Sequence, residues 1–427
     1  MRAVLTNFGS TGSVYPFISM AIELRNHGHQ PVVALSPFFS SWVERFGLDF
    51  IPIGPDLRKI QYDINEAMLE LPDSEGEIRE MFAPLMVALP QMFEELREAC
   101  RGADVLVSGP WQPASPMIHE LTGIPFVTIQ NSHFGGGGTP AFQRASASLI
   151  NPFRARHGLA PVANPLTNDA NSPQLVLYNM SRHVRPPLPD WPPHYHMPGY
   201  LFLNEEGWRP DASLENFMDA GEPPVVITFG SMTHDDPAAL TGLLVDAVRL
   251  ARCRAIIQQG WSGLARDTDP SIFMSDFIPH DWLFMRSSCV VHHGGAGTAA
   301  SVFRAGVPSV FVPHTFDHPL WAQFAYDLGC AGQPIPFLEL GRERLGVAIR
   351  TALDSPGLRR SAAELGRRIC AEMGLRKARQ LIEELVSKVG MSDSHEAPGA
   401  IVEGREGKMM RRKEFRQRQR HKKTTAR

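Results

Sequence analysis

Hydrophobic residues arrive along this chain in short, β-branched bursts, separated by longer stretches in which apolar positions recur every three or four residues. In the first half the bursts are AVLTNF, PVVAL, DFIPIG, DVLVSG, PFVTIQ and LVLYN. Bursts without polar alternation suit strands buried on both faces, and helical spacing between them implies helices covering a parallel sheet. The rhythm breaks from Arg182 to Asp211, a segment with seven prolines that reads as a connection lying against a surface. It restarts with VVITFG (Val225–Gly230), a helix through PAALTGLLVDAVRLA, then RAIIQQG, SIFMSDFIP, SCVVHHGG and SVFVP. From Gly341 to Val389 the spacing is helical. The expected fold class is α/β, with two doubly wound, Rossmann-like domains facing a central cleft. The expected divisions are residues 1–204, residues 205–375, a helix over 376–390 returning to the first domain, and a basic, disordered tail over 391–427.

Composition narrows this picture. The 427 residues are 43% hydrophobic and 20% charged, as in ordinary soluble domains. No apolar run reaches 18 residues, so no transmembrane segment is expected, and MRAVLTNFGS reads as strand and loop rather than as a leader. Five dispersed cysteines without a C-x-x-C pair argue against a disulfide framework or a structural zinc site and favour a cytoplasmic setting. The net charge of −3 conceals an asymmetry, because the stretch from Arg405 carries eleven Lys and Arg against Glu406 and Glu414. That tail reads as a solvated extension and leaves peripheral membrane contact open. It lacks the interleaved aromatics of a single-strand binder, and the rest of the chain is acidic, so no nucleic-acid partner is expected.

The strongest chemical signal is CVVHHGGAGTAASVFRAGVPSVFVP, Cys289 to Pro313. A buried strand runs into His292 and His293, then Gly294, Gly295, Ala296 and Gly297, with a helix opening near Thr298. Glycines let backbone N–H groups approach an anion, and a helix start adds its dipole and its unpaired donors. Without G-K-[ST] this is no Walker loop. A second strand ends in Gly230-Ser231-Met232, where Ser231 could meet the same anion. FIPHDWLF offers backbone groups and an aromatic face, including Trp282, for a nucleobase. In VPHTFDHPLWAQ, Asp317 and His318 sit past a strand end, where they could bond ligand hydroxyls.

In this order and spacing, FGSM, IPHDWLF, VVHHGGAGTAASVFRAGVPSVFVP and FDHPLWAQ resemble the nucleotide-sugar-dependent glycosyltransferases of the GT-B fold. The nearest groups are sterol glucosyltransferases, glycopeptide-antibiotic glycosyltransferases and glycolipid rhamnosyltransferases, and the resemblance covers roughly residues 1–385. It implies that His292, His293 and the backbone of Gly295, Ala296, Gly297 and Thr298 hold the donor diphosphate, assisted by Ser231. It places the base over Phe277, Ile278 and His280, although relatives carry Trp and Gln where this chain has Phe277 and His280. It gives the sugar hydroxyls to Asp317 and its neighbour His318, which replaces the usual Gln. It implies an inverting, metal-independent transfer of a hexose from a UDP- or dTDP-sugar, with no other cofactor, to a small, fairly apolar acceptor.

The opening loop, FGSTGSVYPF, faces the acceptor in such enzymes, and a His or Asp after Gly12 removes the acceptor proton. Here that residue is Ser13, far too weak a base alone. Three readings follow. His133, in NSHFGGGGTP, supplies the base; or the acceptor is already acidic; or the protein is a non-catalytic nucleotide-sugar-binding partner with a degenerate site. The Gly135–Gly138 run and MFAPLMVALPQMF suit a flexible, hydrophobic acceptor cleft. An NAD-dependent oxidoreductase fits poorly, because GSTGSVYP lacks a third glycine in register and the second strand ends in Ser36 rather than an acid. A sugar-nucleotide epimerase would need paired carboxylates, and only Asp317 is well placed.

Overall fold

The apolar bursts form strands that all pair in parallel. The structure, a computed structural model, describes residues 1–9, 11–56, 74–131, 139–205, 207–232, 234–260, 263–264, 269–314 and 317–395, with the backbone alone for 391–395. His133, the Gly135–Gly138 run and the tail from residue 396 onward lie outside the described residues. Met1–Leu385 is one compact unit; of the second, Val386–Arg427, the described residues are helical.

In the first half, β1 (Arg2–Thr6), β2 (Gln30–Leu35), β3 (Asp49–Pro52), β4 (Val105–Ser108), β5 (Phe126–Gln130), β6 (Leu175–Tyr178) and β7 (Tyr195–His196) form a sheet in the order β3-β2-β1-β4-β5-β6-β7. Val4 of β1 lies beside Val32 and Leu106. The second sheet contains β8 (Val225–Thr228), β9 (Ala255–Gln258), β10 (Ile272–Ser275), β11 (Cys289–His292) and β12 (Ser309–Phe311), in the order β10-β9-β8-β11-β12. Its sequence of crossovers repeats that of the first five strands. In both sheets the direction of winding reverses beside the first strand, and ligands of such sheets lie at the carboxyl ends of the strands there. Strands β4, β8, β9 and β11 are buried throughout, as helices on both faces require.

Two local readings are corrected. The first helix does not wait for Ile18 but spans Thr11–Asn26, with Pro16 inside it. Proline has no N–H, so the Gly12 carbonyl loses its i+4 partner, a defect tolerated here only one turn from the helix start. MFAPLMVALPQMF lies within the helix Glu75–Ala99, and Met81, Leu85, Leu89, Met92 and Phe93 are core residues. Of this stretch Phe82 alone reaches the cavity described below.

The proline-rich connection packs as a surface-hugging strap: Trp191 stacks on Tyr178 at 4.2 Å, and β7 within it extends the first sheet. Further on, Tyr200–Glu205 passes between the halves. Ser19 Oγ donates to the Leu201 carbonyl at 2.9 Å on one side, and Arg304 donates to Asn204 Oδ1 at 2.8 Å on the other. Arg379 pairs with Glu23 at 3.0 Å, and His29 with Glu383 at 2.8 Å, so the helix beginning at Gly374 rests on the first half. Among the described residues no helix is long and apolar enough to cross a membrane.

Candidate active site

The carboxyl ends of β1, β5, β6, β8 and β11 open on one cavity of about 500 Å³, lined from both halves. On its second-half wall, β11 runs into Gly294 and then the helix Ala296–Ala305, whose cap Gly295 makes no side-chain hydrogen bond. Its first N–H groups therefore remain available to a ligand. Gly295, Ala296, Gly297 and Thr298 line the cavity, as do Ser231 and His293.

Two glycines explain the placement of His293. A Cβ on Gly230, which sits at φ +60°, would stand 2.8 Å from its Cε1, and a Cβ on Gly295 would overlap its Nε2. The imidazole fills the space that both side chains leave empty. Burial pushes its pKa down to about 4, so the ring is neutral at pH 7 and offers an N–H rather than a charge.

His292 occupies a different place from its neighbour. It is fully buried and packs on the Phe311 ring at 4.2 Å, and its Nδ1 accepts from the Gly294 N–H at 3.2 Å. It does not line the cavity, so the expectation that both histidines face the diphosphate is corrected: His292 supports the turn from behind. Adjacent strand residues point to opposite faces, and that alternation was the signal that separates the pair.

Phe277 and His280 line the cavity, whereas Ile278 belongs to the core with Val226 and Ile256. The Ile278 carbonyl accepts from Gln258 Nε2 at 2.7 Å, so this residue braces the segment rather than facing a base. Trp282 packs against Trp208 at 5.1 Å and is likewise absent from the lining. Burial pushes His280 down to about 4.

Asp317 and His318 also line the cavity. Asp317 Oδ2 accepts from Trp321 Nε1 at 2.8 Å, and desolvation by the surrounding protein raises its carboxyl to about 6. His318 Nδ1 faces the His314 N–H at 3.4 Å, which leaves its Nε2 as the proton-bearing nitrogen. Sequence reasoning missed His314 and His234. His314 Nδ1 must donate to the Val312 carbonyl at 2.8 Å, so its Nε2 accepts from His234 Nε2 at 3.0 Å. The His314 ring stands against both His293 and His318, with centroids 6.4 and 6.3 Å away, and His234 packs on it in turn at 5.2 Å. Among the described residues no group of three or more His, Cys, Asp or Glu side chains is arranged to hold a metal ion.

The first-half wall is neutral. Ser13 lies in the first turn of its helix and lines the cavity. Its carbonyl accepts from Asn7 Nδ2 at 2.8 Å and Asn131 Nδ2 at 3.0 Å, and Asn131 Oδ1 accepts from Asn179 Nδ2 at 3.0 Å. These amides, each at a strand end, also escaped sequence reasoning, because a lone Asn carries no pattern. Beside them Phe82 and Trp111 stack with centroids 6.0 Å apart, and Phe142 packs edge-on against both. Gly12 lies across from Gly297, 3.6 Å from where a Cβ there would stand.

Two Rossmann-like sheets sharing one cavity, one wall built for an anion and the other amide-lined and apolar, define the GT-B architecture. Residues 3–133 match the glycosyltransferase family 28 N-terminal domain, and residues 254–384 the erythromycin biosynthesis protein CIII-like C-terminal domain. The O-mycaminosyltylonolide 6-deoxyallosyltransferase of Streptomyces fradiae is 32% identical over 423 residues, spanning 90% of this chain and 97% of its own. A sterol 3-beta-glucosyltransferase of Arabidopsis thaliana is 32% identical over 414 residues, spanning 88% of this chain and 67% of its own. The crystal structure of the glycosyltransferase VinC in complex with dTDP is similar at a TM-score of 0.68 and 21% identity, covering 91% of this chain and 100% of that one. The chain belongs to this family of GT-B glycosyltransferases and is a nucleotide-sugar-dependent enzyme.

Proposed function

We propose that the protein is an inverting, metal-independent hexosyltransferase that moves sugar from a UDP- or dTDP-donor to a small, fairly apolar acceptor. The second half, from residue 205, holds the donor, and the first, to residue 204, holds the acceptor. The observation that carries this reading is the uncapped helix start at Gly295–Thr298, with His293 beside it, facing Ser13 across one cavity. As the acceptor oxygen attacks the anomeric carbon from the opposite face, negative charge develops on the departing diphosphate. Helix N–H groups and neutral imidazole N–H groups aimed at that charge stabilise it, which is the work a divalent cation would otherwise do. Asp317 and His318 bind sugar hydroxyls, and Phe277 and His280 flank the base. The dTDP bound to VinC, and the tylonolide and sterol acceptors in the relatives' names, support this choice of substrates. The five free cysteines support a cytoplasmic setting.

Ser13 leaves proton removal to another group. His133 takes that role in our reading, supported by Asn131, two residues earlier, whose amide bonds the Ser13 carbonyl. The test is nucleoside diphosphate release from a panel of UDP- and dTDP-sugars, with and without macrolide, sterol and phenolic acceptors, on wild type and His293→Ala. Release by wild type that falls about a hundredfold in His293→Ala supports the reading. Tight donor binding without release under any condition would instead make the protein a non-catalytic binder.

A further inference from the structure

The cavity has an aromatic corner built from both halves. Phe277, just beyond β10, is 39% exposed, a large apolar ring left uncovered at the cavity wall. Trp42 meets it from the first half, on the helix Ser40–Arg45, with ring centroids 5.6 Å apart and planes at 69°. Trp42 is itself partly exposed and lines the same cavity.

Trp42 is tethered to this place from several directions. Tyr15 backs its ring at 5.5 Å, and the Arg45 guanidinium lies over it at 5.1 Å. Arg45 pairs with Glu205 at 3.0 Å, and the Glu205 N–H donates to Asp281 Oδ2 at 2.9 Å, on the short helix that begins at His280. The chain of contacts thus runs from Trp42 back to the segment carrying Phe277 and His280. Two faces at a steep angle make an L-shaped recess, in which a flat ring stacks on one wall and places its edge on the face of the other.

We propose that Trp42 is a nucleotide-recognition residue contributed by the acceptor-binding half, which completes the nucleobase subsite begun by Phe277. This rests on the donor assignment above. The base is then gripped by one ring from each half.

The experiment measures binding of dTDP, UDP and inorganic pyrophosphate by calorimetry to wild type, Trp42→Ala, Trp42→Phe and Phe277→Ala. Base–aromatic stacking leads us to expect dTDP to bind roughly tenfold or more weakly to Trp42→Ala, and within about threefold of wild type to Trp42→Phe. Pyrophosphate, which has no base, binds Trp42→Ala as it does wild type. Unchanged dTDP affinity in Trp42→Ala, with weakened dTDP in Phe277→Ala, overturns this proposal and leaves the donor assignment standing. Unchanged affinity in both variants overturns the nucleobase subsite itself. Equal weakening of dTDP and pyrophosphate in Trp42→Ala also overturns the proposal, because it marks a general effect on the cleft. Should Trp42→Ala fail to fold, quenching of tryptophan fluorescence by dTDP decides: it is present in wild type and lost in Trp42→Phe, and a quench that survives in Trp42→Phe overturns the proposal.

Discussion

Two strand-to-helix turns face each other across the cavity, and their backbones are used in opposite ways. After β11 the helix start is left uncapped by any side chain, and a neutral imidazole is wedged beside it by two glycines. After β1 the helix has Pro16 in its second turn, and two asparagine amides claim the Ser13 carbonyl. One turn leaves its N–H groups facing the cavity, whereas the other uses its polar groups on itself and presents a neutral wall. The same sheet order serves both. Side chains at the strand ends, not topology, make the two walls differ, and our reading assigns donor and acceptor by that difference.

The difference is most completely erased by Gly295→Val. Its side chain would overlap the His293 ring, so we expect kcat/KM to fall by more than about a hundredfold, with dTDP binding lost in calorimetry. Retained dTDP affinity would show that the wedge is unimportant. Next comes the histidine pair. His293→Ala should lower kcat by roughly a hundredfold with little change in melting temperature. His292→Ala should cost about 1–3 kcal/mol of stability, because the buried Gly294 N–H loses its acceptor. Denaturant melts beside steady-state kinetics read both, and identical profiles would refute the division of labour. On the opposite wall, Asn131→Ala removes the bonds to the Ser13 carbonyl and from Asn179, and should raise acceptor KM by roughly three- to tenfold while leaving donor hydrolysis unchanged.

The smallest effect is a pH dependence within the second-half wall. Asp317 is held at about 6 against 3.8 for a free side chain, so the folded state binds its proton more tightly than the unfolded state. That contribution is complete below about pH 4 and is lost as pH rises through 6. Asp317→Asn should therefore raise the melting temperature by a few degrees at pH 7.5 and hardly at all at pH 4. The histidines have the opposite sign. His280 and His293, held at about 4, favour the neutral folded state and cost stability as pH falls below 6.5. Melts of His293→Ala between pH 7.5 and 5 should fall less steeply than those of wild type.

How far the sequence discloses this arrangement depends on how much each feature constrains residue type. An anion-binding turn needs glycines, a strand before it and a helix after it, so HHGGAGT is readable without a structure. The parallel sheets are readable for a similar reason, since strands buried on both faces must be apolar throughout. The first helix misled because glycine and proline ordinarily mark a loop, yet Gly12 and Pro16 are both helical here. Asn7, Asn131 and Asn179 lie more than 40 residues from their nearest partner among the three, apart from the shared Ser13 carbonyl, and only the strand order brings them together. His234 and His314 escaped because their role is held in a hydrogen bond between rings 80 residues apart.

The strap Tyr200–Glu205 has a consequence for descent. Each half is a complete sheet with its own core, so recombination between related genes near this strap would exchange one first half for another and leave the second-half wall of the cavity intact. What limits such exchange is the seam, where Arg304 meets Asn204, Arg45 meets Glu205, Trp42 meets Phe277 and Arg379 meets Glu23. A transplanted half inherits these few contacts as its terms of entry, and new acceptors become accessible only to halves that still satisfy them.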